Sequence, residues 1–498
     1  MKRILSFVII LVMGVSLAAC TGQGGNTPDP TQAPTAAPTE WSAVVKITPE
    51  PTAAPTDEPA ETPVPTAMPE RPGDDPNAPK VFAGKDVFFI LYPDGSLYGW
   101  GNNEYGQLGT GSTDPQTKPV HIANGLTPVI VGETVFAIGS SGTLWGWGRN
   151  DMGQLGTGDS ENKTRPVEIM SFVKEIVPAW NSYYALTESG QVYGWGVMSG
   201  TEPSSDSYEP KLLFENVEYF TPYCMIKDGG ELWLKRGDWM KVADGAVRVF
   251  DKRGFVTYVE CEDGILYNIN DQNELIPICD NVRDVQLSYD RAFILRNDGS
   301  LLSNELGGDG AELIMDCVVE ILCDWEMDED WGYNYNFALK ANGELWAWSM
   351  LYSNELVGKS MENESLEPAC VATNVKKVVT NNAQTFIIKE DGSVWATGLN
   401  SKDNEVFFFG GVGDGTSETK YGFVDLGLKG IVNIVSALTE MYFEYDDGTD
   451  GVVLYARTFA IDEEGRVWAW GYNGDGFLGV DSAEVDVLAP MEVLVTKE

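Results

Sequence analysis

The sequence predicts an all-β fold, a β-propeller assembled from a repeated four-stranded unit. Three observations carry this expectation. A turn glycine recurs nine times at intervals of 34 to 73 residues. Aromatic residues recur at constant offsets on both sides of it. Apolar runs of strand length enter and leave each copy. A period of this size with about four strands per unit is the signature of a propeller blade.

The glycines are Gly95, Gly142, Gly190, Gly230, Gly264, Gly299, Gly343, Gly392 and Gly465. Leu or Val follows two positions later in every copy, as at Leu97, Leu144 and Val192. An aromatic follows at three positions, as at Tyr98, Trp145 and Trp468, with Leu302 the exception. Six positions before the glycine stands another aromatic, as at Phe89, Phe136 and Phe459, with Cys224 the exception. Each unit therefore reads as a hairpin closed by a glycine free to take positive φ. Its strands, such as Phe88-Phe89-Ile90-Leu91, are apolar on both faces, as expected of sheets stacked between neighbours. A Pro-Val segment, Lys118-Pro119-Val120-His121-Ile122, supplies a further strand. Nine hairpins are counted, and seven to nine blades are expected. The longest interval is expected to hold an inserted acidic hairpin, Glu440–Leu454. The frame opens near residue 80, and the two ends of the chain are expected to meet in or beside one blade.

A second motif narrows the fold. Trp100-Gly101-Asn102-Asn103-Glu104-Tyr105-Gly106-Gln107-Leu108-Gly109-Thr110-Gly111 matches the segment from Trp147 to Gly158 at nine of twelve positions. Trp470-Gly471-Tyr472-Asn473-Gly474-Asp475-Gly476-Phe477-Leu478-Gly479 is a third copy. The pattern W-G-x-N-x-x-G-Q-L-G-x-G resembles the repeat of the regulator of chromosome condensation (RCC1-like) family. The resemblance extends over 81–498 in outline and three units in detail, because repeats three to eight keep the hairpin and lose the glycine-rich loop. It implies a propeller that recognises proteins. Trp100, Trp147, Trp195, Trp348 and Trp470 share one column, which argues for packing between blades. Gly99, Gly146 and Gly194 stand just before three of them and would let a neighbouring ring approach.

The N-terminus reads as an address. Lys2 and Arg3 precede an apolar run from Ile4 to Leu17, too short to span a bilayer comfortably. Leu17-Ala18-Ala19-Cys20 resembles the lipobox of bacterial lipoproteins, which implies a signal peptide over 1–19 and lipidation of Cys20, with palmitate among the expected acyl chains. The protein would then be anchored on a membrane without crossing it. Residues 20–79 follow as a Pro/Thr/Ala-rich stalk, in which 14 of the chain's 26 prolines lie. Pro34-Thr35-Ala36-Ala37-Pro38-Thr39 recurs as Pro51-Thr52-Ala53-Ala54-Pro55-Thr56. Such a segment favours extended polyproline II and buries no core. The propeller is assigned to 80–498.

Composition excludes several functions. The 498 residues carry 75 acidic and 33 basic side chains and one histidine, for a net charge of −42. Lys2 and Arg3 carry +2 and residues 21–80 carry −6, which leaves −38 for 81–498. A chain this acidic is a poor ligand for nucleic acid or anionic lipid. A lone histidine, His121, leaves little room for histidine metal sites or triads, and it reads as structural. No catalytic residue and no cofactor are assigned. Asp446-Asp447-Gly448-Thr449-Asp450-Gly451 resembles part of a calcium loop but has Arg457 and Thr458 where the closing acid belongs, so no metal is assigned. Cys224, Cys261, Cys279, Cys317, Cys323 and Cys370 lack zinc spacing and read as buried free thiols. The segment from Asp324 to Trp331, with Trp325 and Trp331, reads as a solvated loop between blades.

The expected function is a non-enzymatic, lipid-anchored recognition module, monomeric, outside the cytoplasm of a bacterial cell. Its expected partner is an extracellular or envelope protein. Carbohydrate binding or cleavage at the cell surface, through Trp325 and Trp331, is the alternative.

Overall fold

The computed structural model describes residues 78–495, apart from 180–181, 198–206, 253–254, 289, 307, 328–331, 351–366, 382, 401–410 and 445–449. The expected signal peptide, Cys20 and nearly all of the stalk lie outside these residues. Among the described residues, 36 strands form nine four-stranded sheets, each from strands consecutive in sequence. The count of nine hairpins is thus a count of nine blades.

Blade 1 sets the pattern. Strands β1 (Lys80–Ala83), β2 (Val87–Leu91), β3 (Ser96–Gly101) and β4 (Gln116–Asn124) form an antiparallel meander. The eight further blades span 126–170, 173–214, 217–243, 246–280, 282–315, 318–372, 375–425 and 431–492. The backbones of the first strands of several neighbouring blades approach one another, which places first strands innermost in the ring. Fourth strands lie at the rim, and β4 is exposed at its lysine and histidine.

The core sits between blades. Side chains of β2 and β3 alternate, so one set packs on the preceding sheet and the other on the following sheet. Phe89, Leu97 and Leu108 of blade 1 pack with Val135, Ala137 and Trp147 of blade 2. Phe136 and Leu144 of blade 2 pack with Tyr183, Ala185 and Trp195 of blade 3. The largest cluster spans blades 8, 9 and 1, joining Phe386, Phe459, Trp470, Phe88 and Trp100. The first and last blades are therefore adjacent, and among the described residues no strand is exchanged between them.

Two expectations about insertions change. The residues Glu440–Leu454 are not a separate hairpin. They are the outer part of the first two strands of blade 9, Ile431–Glu444 and Asp450–Asp462, whose pairing runs without a break from Asn433↔Ile461 to Glu444↔Asp450. Likewise Trp325 does not lie in a connection between blades. It belongs to the first strand of blade 7, Val318–Met327, and pairs with Asn334 of the second.

Candidate functional site

Strand order gives the ring two unlike faces. In a meander, the turn from second to third strand and the connector to the next blade lie at one end. The turns from first to second and from third to fourth strand lie at the other.

The first end is uniform. Each turn glycine has positive φ, from 72° to 86°. In six of the nine copies its carbonyl accepts the amide of the residue that opens the next blade, as from Val173 to Gly142 at 2.8 Å, Val217 to Gly190 at 2.9 Å, Val318 to Gly299 at 2.9 Å and Val375 to Gly343 at 2.9 Å. A Cβ at Gly392 would stand 2.8 Å from the Gly430 nitrogen. The whole column is fixed by backbone angle, and at Gly190, Gly230, Gly343 and Gly392 the next blade's close approach fixes it a second time.

The second end is where the chain varies. Blades 4, 5 and 6 have short third turns, at 237, 270–274 and 306–310, whereas the corresponding connections in blades 7 and 8 run over 351–368 and 399–419. The elongated hairpins of blades 7 and 9 also project from this end. In repeat folds, insertions gather on one face, commonly the binding face.

Four of these connections share one construction, centred on a buried asparagine. The Asn103 amide donates to the carbonyls of Ser112 at 3.0 Å and Asp114 at 2.9 Å, and its oxygen accepts the Leu108 amide at 2.9 Å. Asn150 binds Asp159, Glu161 and Leu155 in the same way, and Asn473 binds Ser482, Glu484 and Leu478. Asn400 repeats it with Thr416, Glu418 and Val412. Repeat eight has therefore kept the glycine-rich loop, contrary to expectation. Residues 401–410 separate its asparagine from Gly411-Val412-Gly413.

Each loop holds the tryptophan of the next blade. Trp147 donates its indole N–H to Gln107 at 2.8 Å, Trp195 to Gln154 at 2.7 Å, Trp470 to Gly411 at 3.1 Å and Trp100 to Phe477 at 3.0 Å. All four rings are fully buried. A Cβ at Gly109 would stand 3.1 Å from the Trp147 nitrogen. The close neighbour of Gly99 is instead the ring of Phe89 on its own sheet, and that of Gly146 is Ile169. The tryptophan column packs between blades, as its regularity indicates.

Several described charges of this face pair within its own loops. Arg149 donates two hydrogen bonds to Asp151, at 3.0 and 2.8 Å, and lies over the Tyr105 ring. Its guanidinium holds the Asp151 carboxyl below the usual carboxylate range. Lys163 binds Asp159 at 2.7 Å and lowers that carboxyl likewise. Lys420 sits between Asp414 and Glu418. Met152 and Tyr208 are exposed beside these pairs, the Tyr208 ring lying against Gly153.

The remaining residues singled out in the sequence are scattered. His121 is exposed at the rim, within 3.1 Å of Asn124 and edge-on to Tyr98. The expected burial holds for Cys224 and Cys323, whereas Cys261 and Cys279 are half-buried and Cys317 and Cys370 exposed, and none of the six forms a disulfide. The apolar runs around the last two mark strand ends, where a side chain turns outward. The side chains of Trp325 and Trp331 and most of 446–451 lie outside the described residues. Among the described residues, no group of three or more His, Cys, Asp or Glu is arranged to hold a metal ion.

This architecture defines a β-propeller repeat protein with a variable-loop face. Family models describing the regulator of chromosome condensation (RCC1) repeat match residues 94–131 and 141–179, and a second model of that repeat matches 80–107. Residues 80–131 and 141–179 thus carry RCC1-type repeats. Among solved structures, it is similar to yeast RCC1 (Prp20) bound to Kap60, at 15% identity over 90% of this chain and 91% of that one, with a TM-score of 0.44. It is also similar to Prp20p from Saccharomyces cerevisiae, a structure described with its binding properties to Gsp1p and histones, at 15% identity over 84% and 88%, with a TM-score of 0.41. Human WBSCR16 is similar at 14% identity over 80% and 94%, with a TM-score of 0.39.

Proposed function

We propose that this chain is the recognition head of a lipid-anchored bacterial envelope protein, and that it binds a protein partner through the variable-loop face. One observation carries this reading: the long connections and both elongated hairpins emerge at the same end of the ring, while the other end is built from near-identical turns. A rigid ring that presents unequal loops on one side suits selective protein binding better than a chemistry needing convergent acids and bases. Asp151, Asp159 and Asp414 of this face serve loop hydrogen bonds and ion pairs, which supports a binding head over an enzyme.

Anchoring rests on Lys2, Arg3, the apolar run and Cys20. Replacing Cys20 with Ser is expected to move the protein from membranes to the soluble fraction, and continued membrane retention would refute the anchor. The face is tested by placing a bulky thiol-reactive polymer on a cysteine introduced at Glu104, and separately at Asp94 on the opposite face, in a protein whose exposed Cys317 and Cys370 are replaced by Ser. Association with the partner recovered by proximity labelling on intact cells should be blocked only from Glu104. Equal blocking from both positions would refute the assignment. Glycan-array binding abolished by Trp325→Ala would instead establish the carbohydrate reading.

A further inference from the structure

The residue that precedes each blade's first strand forms a column of its own. At blades 2 to 9 it is Gly125, Phe172, Asn216, Gly245, Asn281, Cys317, Asn374 and Gly430, and all eight have φ between 57° and 72°. Glycine and asparagine tolerate this left-handed region, whereas a bulky aromatic is disfavoured there. Phe172 nevertheless adopts φ 63°, and its side chain is 67% exposed. The strained backbone is therefore not offset by burial of the ring.

A groove lies beside it, where the connector from blade 2 meets the turn of blade 3. Met170, Phe172, Gln191 and Tyr193 line it together with Glu188. The Glu188 amide donates to the Phe172 carbonyl at 3.0 Å, which fixes the two segments against each other. The charged residue that lines the groove, and the charged partners at its edge, are glutamates. Glu188 is exposed within it, Ser171 at its edge donates to Glu168, and Gln191 donates to Glu215. The nearby lysine, Lys174, directs its ammonium to the Glu218 carbonyl in blade 4.

We propose that this groove, on the face opposite the variable loops, docks a basic polypeptide segment of a partner protein, with Phe172 as the apolar anchor. The occupant is set by charge complementarity. An exposed ring and a methionine accept an apolar side chain, and the surrounding glutamates select lysine or arginine beside it. The cost in backbone strain, with no packing in return, is accounted for when the ring is buried in the complex.

The test uses the full-length protein and short synthetic peptides that carry a Lys-Lys-Leu-Phe block, with a glutamate twin as control. The lysine peptide is expected to bind, and added salt to weaken it. Phe172→Asn, which places in this column a residue already found there three times, is expected to weaken binding roughly tenfold or more. Its melting temperature should equal or exceed that of the parent, so the loss is not unfolding. Glu188→Gln, which leaves the strained backbone alone, should weaken binding less and flatten its salt dependence. Undiminished affinity in Phe172→Asn and Glu188→Gln, equal binding of the glutamate twin, or no binding of the lysine peptide overturns the proposal.

Discussion

Arg457, in the second strand of the last blade, donates its guanidinium to the carboxylate of Asp86 in the first blade, 371 positions away, at 2.5 Å. The same side chain donates to the Lys85 carbonyl at 2.8 Å, to the Tyr472 carbonyl at 3.1 Å and to Asp475 at 3.2 Å. It lies over the rings of Phe88, Tyr455 and Tyr472 and is 1% exposed. A buried guanidinium with each partner satisfied closes the ring where the chain has no covalent continuity.

Truncating that clasp should cost more than an exposed ion pair would. Arg457→Leu is expected to destabilise the ring by about 3 kcal/mol, because it strands Asp475 and two carbonyls. A lowered urea midpoint is the readout. Asp86→Asn, which keeps a hydrogen-bond acceptor, should shift it less, and an unchanged midpoint for Arg457→Leu would remove the clasp from the account.

The tryptophan column predicts a local defect rather than a global one. Trp147→Phe removes the bond to Gln107 and leaves space beneath Gly109. A loss of roughly 2 kcal/mol or more is expected. Hydrogen exchange should quicken first in the loop of blade 1, which cups that ring, before blades 4 to 6 respond.

Asn400 offers a test of the interrupted loop. Asn400→Ala should leave the carbonyls of Thr416 and Glu418 and the amide of Val412 without their partner, at a cost of about 1–3 kcal/mol. The Val412 amide should lose its exchange protection. Retained protection would mean that the loop in blade 8 does not depend on its asparagine.

Thiol chemistry separates the cysteines. Burial pushes the Cys224 thiol up to about 12, against a hydrogen bond from Thr221. A raised thiol pKa leaves almost no thiolate near neutral pH, so Cys224 should resist maleimide until the protein unfolds. Exposed Cys317 should label readily in the native state. Mass spectrometry of the labelled protein distinguishes the two, and early labelling of Cys224 would contradict the packing of blades 4 and 5.

Much of the ring was legible because its residues recur at constant spacing. The turn glycines and the aromatics around them mark hairpins whose geometry is local, so sequence distance and spatial role coincide. The asparagine of blade 8 was hidden because 401–410 stretch the spacing while leaving the hydrogen bonds intact. Arg457 was visible only as a residue standing where a calcium loop needs an acid. Its role comes from Asp86 and Phe88 in the first blade, and such long-range partners have no signature in spacing. The column of Phe172 was missed for another reason. Its members share a backbone angle and not a residue type, so Gly125, Asn216 and Phe172 do not align by eye. The segment of blade 7 reads as a loop and that of blade 9 as a separate hairpin because their alternation is weak, whereas the pairing of the blade's own strands continues into them.

The four asparagine loops belong to blades 8, 9, 1 and 2, which lie in two groups at opposite ends of the sequence and side by side in the ring. Three of them are tied to the rim strand of the following blade: Gly415 to Leu488, Gly111 to Thr164 and Gly158 to Tyr208, while Lys118 and Asp481 link blade 9 to blade 1. Backbone ties from loop to rim are therefore unevenly distributed around the circle. Tension applied to the chain ahead of Lys80 enters at the middle of the reinforced arc, beside Pro79 packed on Gly465. A pull from that side is borne by both neighbours of blade 1 at once.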